Sequence, residues 1–82
     1  MPEIEDKLTE YILTQIMKRP GYNLGPDEKL ISSGLIDSFH LVDLAIFVEE
    51  TWTVHIDDTE LNADSFDTVS QLASLIRQRQ PG

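Results

Sequence analysis

The sequence predicts an all-α domain, a four-helix bundle of three longer helices and one short one, with a long loop after the first helix. Three observations predict it. Apolar residues recur at helical spacing in three separate stretches, and a run rich in Gly, Pro and Asn interrupts them after residue 19. No segment alternates apolar and polar residues as a half-buried strand does.

The first helix is read over Pro2 to Arg19, where Ile4, Leu8, Ile12 and Ile16 stand four apart with Tyr11 and Met17 nearby. Lys18 and Arg19 suit the negative C-terminal end of its dipole, and Pro20-Gly21 follow as breakers. From Pro20 to Ile36 no period is sustained. A connection this long is uncommon in so small a domain, so it is read both as functional and as pinned by Leu24, Leu30, Leu35 and Ile36. The second helix begins at Asp37 or Ser38 and runs to about Thr53; Asp37 is its N-cap, and Ile36 is placed to pack on Leu41 as a hydrophobic staple. The acidic stretch Asp57, Asp58 and Glu60 leads into an apolar turn around Leu61, which supports one brief helix at most. Asp67 is read as the cap of a last helix bearing Val69, Leu72, Ala73 and Ile76, which ends in a polar tail over 77–82. Residues 1–82 thus read as a single domain without internal repeats.

Composition narrows the function. Fifteen Asp plus Glu stand against six Lys plus Arg, for a formal charge of -9 and a pI near 4.3. A chain this short buries only about 60% of the surface its unfolded form exposes, which leaves little core around which to enclose an active site. Without Cys there is no disulfide framework, thiolate metal site or thiol nucleophile. The negative surface is repelled by phosphate backbones and anionic lipid and attracted to basic protein patches, so the expected partner is a protein and not a nucleic acid. No apolar run spans a bilayer and the first six residues carry no basic export segment, so a monomeric cytoplasmic chain is expected.

The second helix is apolar on two sides. Leu41, Leu44, Ala45 and Val48 fall within roughly 100° of arc and form a core-facing stripe. Phe39, Val42 and Ile46 form a second cluster on the other side, flanked by Asp43, Glu49 and Glu50. An apolar strip rimmed by acids has the character of a docking surface; the alternatives are a helix buried all round or a loop folded over the strip. At the start of this helix stands Ser38, where free N–H groups and the positive dipole end favour a phosphate, although a serine there is more often a cap.

The string Ser33-Gly34-Leu35-Ile36-Asp37-Ser38-Phe39, followed by Val42-Asp43-Leu44 and Val48-Glu49-Glu50, resembles the modification site of acyl carrier proteins. The resemblance extends over nearly the whole chain, through Trp52, Ile56-Asp57-Asp58 and Phe66-Asp67-Thr68-Val69. It implies that Ser38, beside Asp37, carries 4'-phosphopantetheine as a phosphodiester transferred from coenzyme A, and that a terminal thiol on the arm holds an acyl or aminoacyl cargo as a thioester. The implied partners are a phosphopantetheinyl transferase, a loading ligase or transferase, and downstream synthases or transferases with basic patches. Phe39, Val42 and Ile46 would then be the recognition stripe, with Asp43, Glu49 and Glu50 meeting those patches, and the chain itself would catalyse nothing. Leu35 and His40 depart from the fatty-acid carrier pattern, and Asp37 departs from the His usual in peptidyl carriers. The string is closer to discrete carriers of the D-alanyl type or of specialised pathways, and the cargo stays open. The alternative from another class is a small acidic interaction module that docks through the same stripe without a prosthetic group.

Other chemistry fits less well. Asp57, Asp58, Glu60, Asn62 and Asp64 suggest a calcium loop, but Ala63 and Val69 stand where its Gly and bidentate Glu belong, so no metal site is assigned. His40 is read as a local charge partner of Asp37 and Asp43, because two residues from Ser38 it does not share that residue's face as a catalytic base must. Trp52 is either core or a partly exposed anchor.

Overall fold

The computed structural model describes residues 3–80, so Pro2 at the expected helix start and Pro81-Gly82 of the polar tail lie outside the described residues. Every regular element among the described residues is helical: α1 (Glu3–Tyr11), continued by a π-helical stretch (Ile12–Ile16), α2 (Ser38–Trp52), a single 3-10 turn (Asp58–Glu60), and α3 (Val69–Arg79). The all-α expectation holds, whereas the four-helix bundle is replaced by three helices and one turn. The reason lies in what the fourth element has to bury. No residue of Asp58–Glu60 is buried, while Val54 and Ile56 reach the core from non-helical backbone just before it. A helix there would have no apolar face to pack.

The π stretch keeps the last apolar residue of the first helix in line with the others. Residues four apart overshoot a full α turn by about 40° each time, so three steps from Ile4 to Ile16 drift by about 120°. Widening the last turns to roughly 4.4 residues turns Ile16 back toward the core side. Ile4 and Ile16 are both 8% exposed, and Leu8 and Ile12 between them are fully covered. The Met17 amide donates to the Ile12 carbonyl at 2.7 Å and the Arg19 amide to that of Leu13 at 2.7 Å. Lys18 then turns left-handed with φ 55°, so the helix ends ahead of Pro20-Gly21.

One core joins the helices. It contains Ile4, Leu8, Ile12 and Ile16 of the first helix, Leu41, Leu44 and Val48 of α2, and Val69, Leu72, Ala73 and Ile76 of α3. Between the helices Leu24, Leu30 and Ile36 are buried as expected, with Leu35 half-buried, and Phe66 is 1% exposed. Tyr11 stacks on Phe47 with centroids 4.1 Å apart, and Phe47 meets the edge of Trp52 at 5.6 Å. Trp52 is therefore a half-buried anchor.

Each helix end has a local cause. Asp37 caps α2 by accepting the His40 amide, and Thr53 ends it in the left-handed region with φ 57°, its amide bonded to the Glu49 carbonyl. A β-branched residue there costs about 1–2 kcal/mol. The cap of α3 is Thr68, whose hydroxyl accepts the Gln71 amide at 3.0 Å, and not Asp67 as expected. Asp67 lies one residue too early and its carboxylate is engaged elsewhere. No helix among the described residues is long and apolar enough to cross a membrane.

Among the described residues, ion pairs tie α3 back to earlier elements: Arg77 to Glu5 of α1, and Arg79 through both terminal guanidinium nitrogens to the carboxylate of Glu60. The Arg79 fork, with the Asp57 amide, holds the Glu60 carboxyl down to about 2, against 4.5 for a free Glu. A depressed carboxyl contributes stability that is present above its unfolded value and lost as pH falls through the folded one. In urea melts, the stability difference between the parent and Glu60→Gln is therefore expected to stay constant above about pH 5 and to shrink to nothing toward pH 2. A difference independent of pH would show that the pair contributes nothing through its charge.

Candidate functional site at the start of helix α2

Ser38 is the first residue of α2 and is exposed. Asp37 before it is extended, with φ -90° and ψ 174°, and its Oδ1 accepts the His40 backbone N–H at 2.9 Å. The same oxygen lies 2.8 Å from His40 Nδ1. Chiefly that amide bond, aided by His40, holds the Asp37 carboxyl below the usual carboxylate range. With Asp37 supplying the cap, the capping role that position alone gives to Ser38 is already filled. Among the described residues, no hydrogen bond engages the Ser38 hydroxyl.

The loop that delivers Ser38 is fixed from Asp67, just before α3, and from the first turn of α3 itself. Asp67 is 7% exposed, and its carboxylate accepts the Ile31 amide at 2.8 Å, the Ser32 amide at 3.0 Å and the Ser32 hydroxyl at 2.6 Å. These bonds, led by the Ser32 hydroxyl, hold its carboxyl below the usual range against the opposing effect of burial. Its backbone carbonyl takes the Leu30 amide at 2.6 Å, and the Ser70 amide in the first turn of α3 donates to the Pro26 carbonyl at 3.0 Å. Leu30 in turn accepts from the Ile36 amide at 3.0 Å, one residue before Asp37. Gly34 sits at the bend with φ 84°, open around its Cα, in a region where other residues are strained.

The two faces of α2 separate cleanly. Leu41, Leu44 and Val48 are 3%, 1% and 0% exposed, whereas Phe39, Val42 and Ile46 are 82%, 47% and 51% exposed. Neither a folded-over loop nor burial all round covers the second stripe. Asp43, Glu49 and Glu50 are exposed. The Asp43 carbonyl accepts from the Tyr11 hydroxyl at 3.4 Å, leaving its carboxylate outward, and Glu49 lies 3.2 Å from His55 Nδ1. The site is an open surface: the larger hollows, about 370 Å³ along α3 beside Ser65, Ser70 and Ser74 and about 380 Å³ beside Lys7 and Trp52, share no residue with it.

The acidic turn is occupied by its own hydrogen bonds. Asn62 Oδ1 accepts the Asp64 and Ser65 amides at 3.0 and 3.1 Å, and the Asp57 amide donates to Glu60. Among the described residues no group of three or more His, Cys, Asp or Glu side chains is arranged to hold a metal ion.

Sequence reasoning missed two contributors. The local pattern makes Asp67 a helix cap, and the period of α2 places Phe47 in neither stripe although it bridges Tyr11 and Trp52. The signal for Asp67 was the neighbouring Thr68, which can cap equally well and frees the aspartate. Comparisons with family models, curated proteins and solved structures return no match.

Proposed function

We propose that this chain is a carrier protein, bearing an acyl or aminoacyl group on a 4'-phosphopantetheine arm attached to Ser38 and delivering it to partner enzymes. The observation that carries the reading is the division of labour at the start of α2. Asp37 caps the helix, so Ser38 is an exposed hydroxyl that no other described residue engages, at a helix end favourable to a phosphodiester. The residues present fit the arm, which supplies the thiol that a Cys-free chain lacks. Ser38 holds the group, Asp37 keeps the helix start formed beneath it, and the fixed loop holds the hydroxyl outward.

The exposed stripe beside Ser38 supports the delivery half of the reading. Phe39, Val42 and Ile46 would pack into an apolar groove on each partner, and Asp43, Glu49 and Glu50 would meet its basic rim. A tethered cargo reaches each docked enzyme at high effective concentration, so delivery needs no catalysis by the carrier.

Intact mass measured before and after incubation with coenzyme A, Mg and a broad-specificity phosphopantetheinyl transferase tests the reading, with Ser38→Ala alongside. The parent is expected to gain one phosphopantetheine and the variant none, with both giving the same helical spectrum. A folded, unmodified parent that gains nothing overturns it and leaves an acidic module that docks through the same stripe without chemistry.

A further inference from the structure

We propose that Asp67, far from Ser38 in sequence, is a positioning residue for the modification site: it holds the loop Leu30–Ile36 in the shape in which a transferase must meet Ser38. The inference rests on the carrier reading. Asp67 is a buried carboxylate that caps no helix and, among the described residues, makes no direct ion pair; the Lys29 charge favours it only from a distance. Its cap role is filled by Thr68, and none of its three side-chain bonds goes to a cation. All three go to two consecutive loop residues, Ile31 and Ser32.

The consequence passes to Ser38 through short links. Asp67 fixes Ile31 and Ser32, its carbonyl fixes Leu30, and the Leu30 carbonyl holds the Ile36 amide. Ile36 is 2% exposed and is followed directly by the Asp37 cap and Ser38. The rest of that stretch is a single turn, with the Gly34 amide bonded to the Ile31 carbonyl at 3.1 Å and the Ser33 hydroxyl to the Lys29 carbonyl, and Ser33 and Gly34 are exposed. Without the carboxylate, two backbone N–H groups and a hydroxyl lose their acceptor, and the exposed turn from Ile31 to Gly34 is free to leave this arrangement for water while Leu30 and Ile36 stay anchored in the core. The helix start, held by its own cap, remains.

That split fixes the kinetic signature. If the loop is competent for only a fraction of the time, the apparent affinity for the transferase falls by that fraction while turnover of the bound complex is unchanged. Asp67→Asn keeps the shape of the side chain and weakens it as an acceptor. In steady-state assays of arm transfer from coenzyme A, with the carrier as varied substrate, we expect KM to rise about tenfold, corresponding to a loop competent about a tenth of the time, with kcat within about twofold of the parent. Hydrogen exchange at the Ile31 and Ser32 amides is expected to accelerate, while that in the middle of α2 is preserved.

Faster exchange at those amides with an unchanged KM overturns the proposal, as does a loss confined to kcat. If Asp67→Asn fails to fold, Ser32→Ala removes one donor and leaves both amide bonds. It is expected to raise KM by about threefold, and parity with the parent overturns the proposal. A parent that accepts no arm overturns the carrier reading and this proposal together, whereas parity between a modified parent and its variants overturns this proposal alone.

Discussion

Phe66→Ala is expected to bring the domain to the edge of unfolding at room temperature. Phe66 is 1% exposed and heads the largest fully buried side chains. It lies where the acidic turn runs into α3, its amide bonded to the Asn62 carbonyl at 3.2 Å, so backbone on both sides is fixed and cannot collapse into the space left behind. Removing a buried Phe costs about 3–5 kcal/mol, transfer and cavity together. At roughly 0.05–0.15 kcal/mol per residue, a domain this small has a total of about 4–12 kcal/mol. In a thermal melt the midpoint should fall by about 20 °C. Phe66→Leu, which keeps most of the volume, should lose less than half as much. Equal losses for the two variants would mean that aromatic shape, and not burial, sets the effect.

The second large effect is at the docking surface, where two variants separate apolar from electrostatic contributions. Phe39 is 82% exposed, so Phe39→Ala leaves the fold untouched. If it is the anchor of a partner groove, its truncation weakens binding by about 2 kcal/mol, close to thirtyfold, at any ionic strength. Asp43→Lys should also weaken binding to a basic partner, but its effect should fade in high salt, because screening removes the attraction between exposed charges. Asp43 is the cleaner choice of acid, since Glu49 already has His55 beside it. Binding to a broad-specificity phosphopantetheinyl transferase, measured at two salt concentrations, reads both. A Phe39→Ala defect that vanishes in salt, or an Asp43→Lys defect that persists, would contradict this division of roles.

The three helices, and the two faces of α2, were legible because a 3.6-residue period records which side is covered. The pairing of Leu41, Leu44 and Val48 against Phe39, Val42 and Ile46 is the clearest instance. What a period cannot record is a contact between distant parts of the chain. Asp67 looked like a cap because a cap is a local motif, while its actual partners lie 35 and 36 residues away. The same blindness made the acidic turn look like a fourth helix. Its neighbours Val54 and Ile56 satisfy the core from non-helical backbone, which no local pattern announces.

The bonds between loop and α3 also impose an order of events. The hydrogen bonds within each helix join near neighbours, but Leu30, Ile31 and Ser32 acquire acceptors only from Asp67, and Pro26 receives its donor only from Ser70. Closing so long a span comes late, because its entropy must be lost before any bond is gained. A chain emerging from the ribosome therefore exposes the residue pair Asp37-Ser38 well before that pair has its platform. On the proposed reading, a transferase that recognises the platform would act on finished molecules and pass over nascent ones.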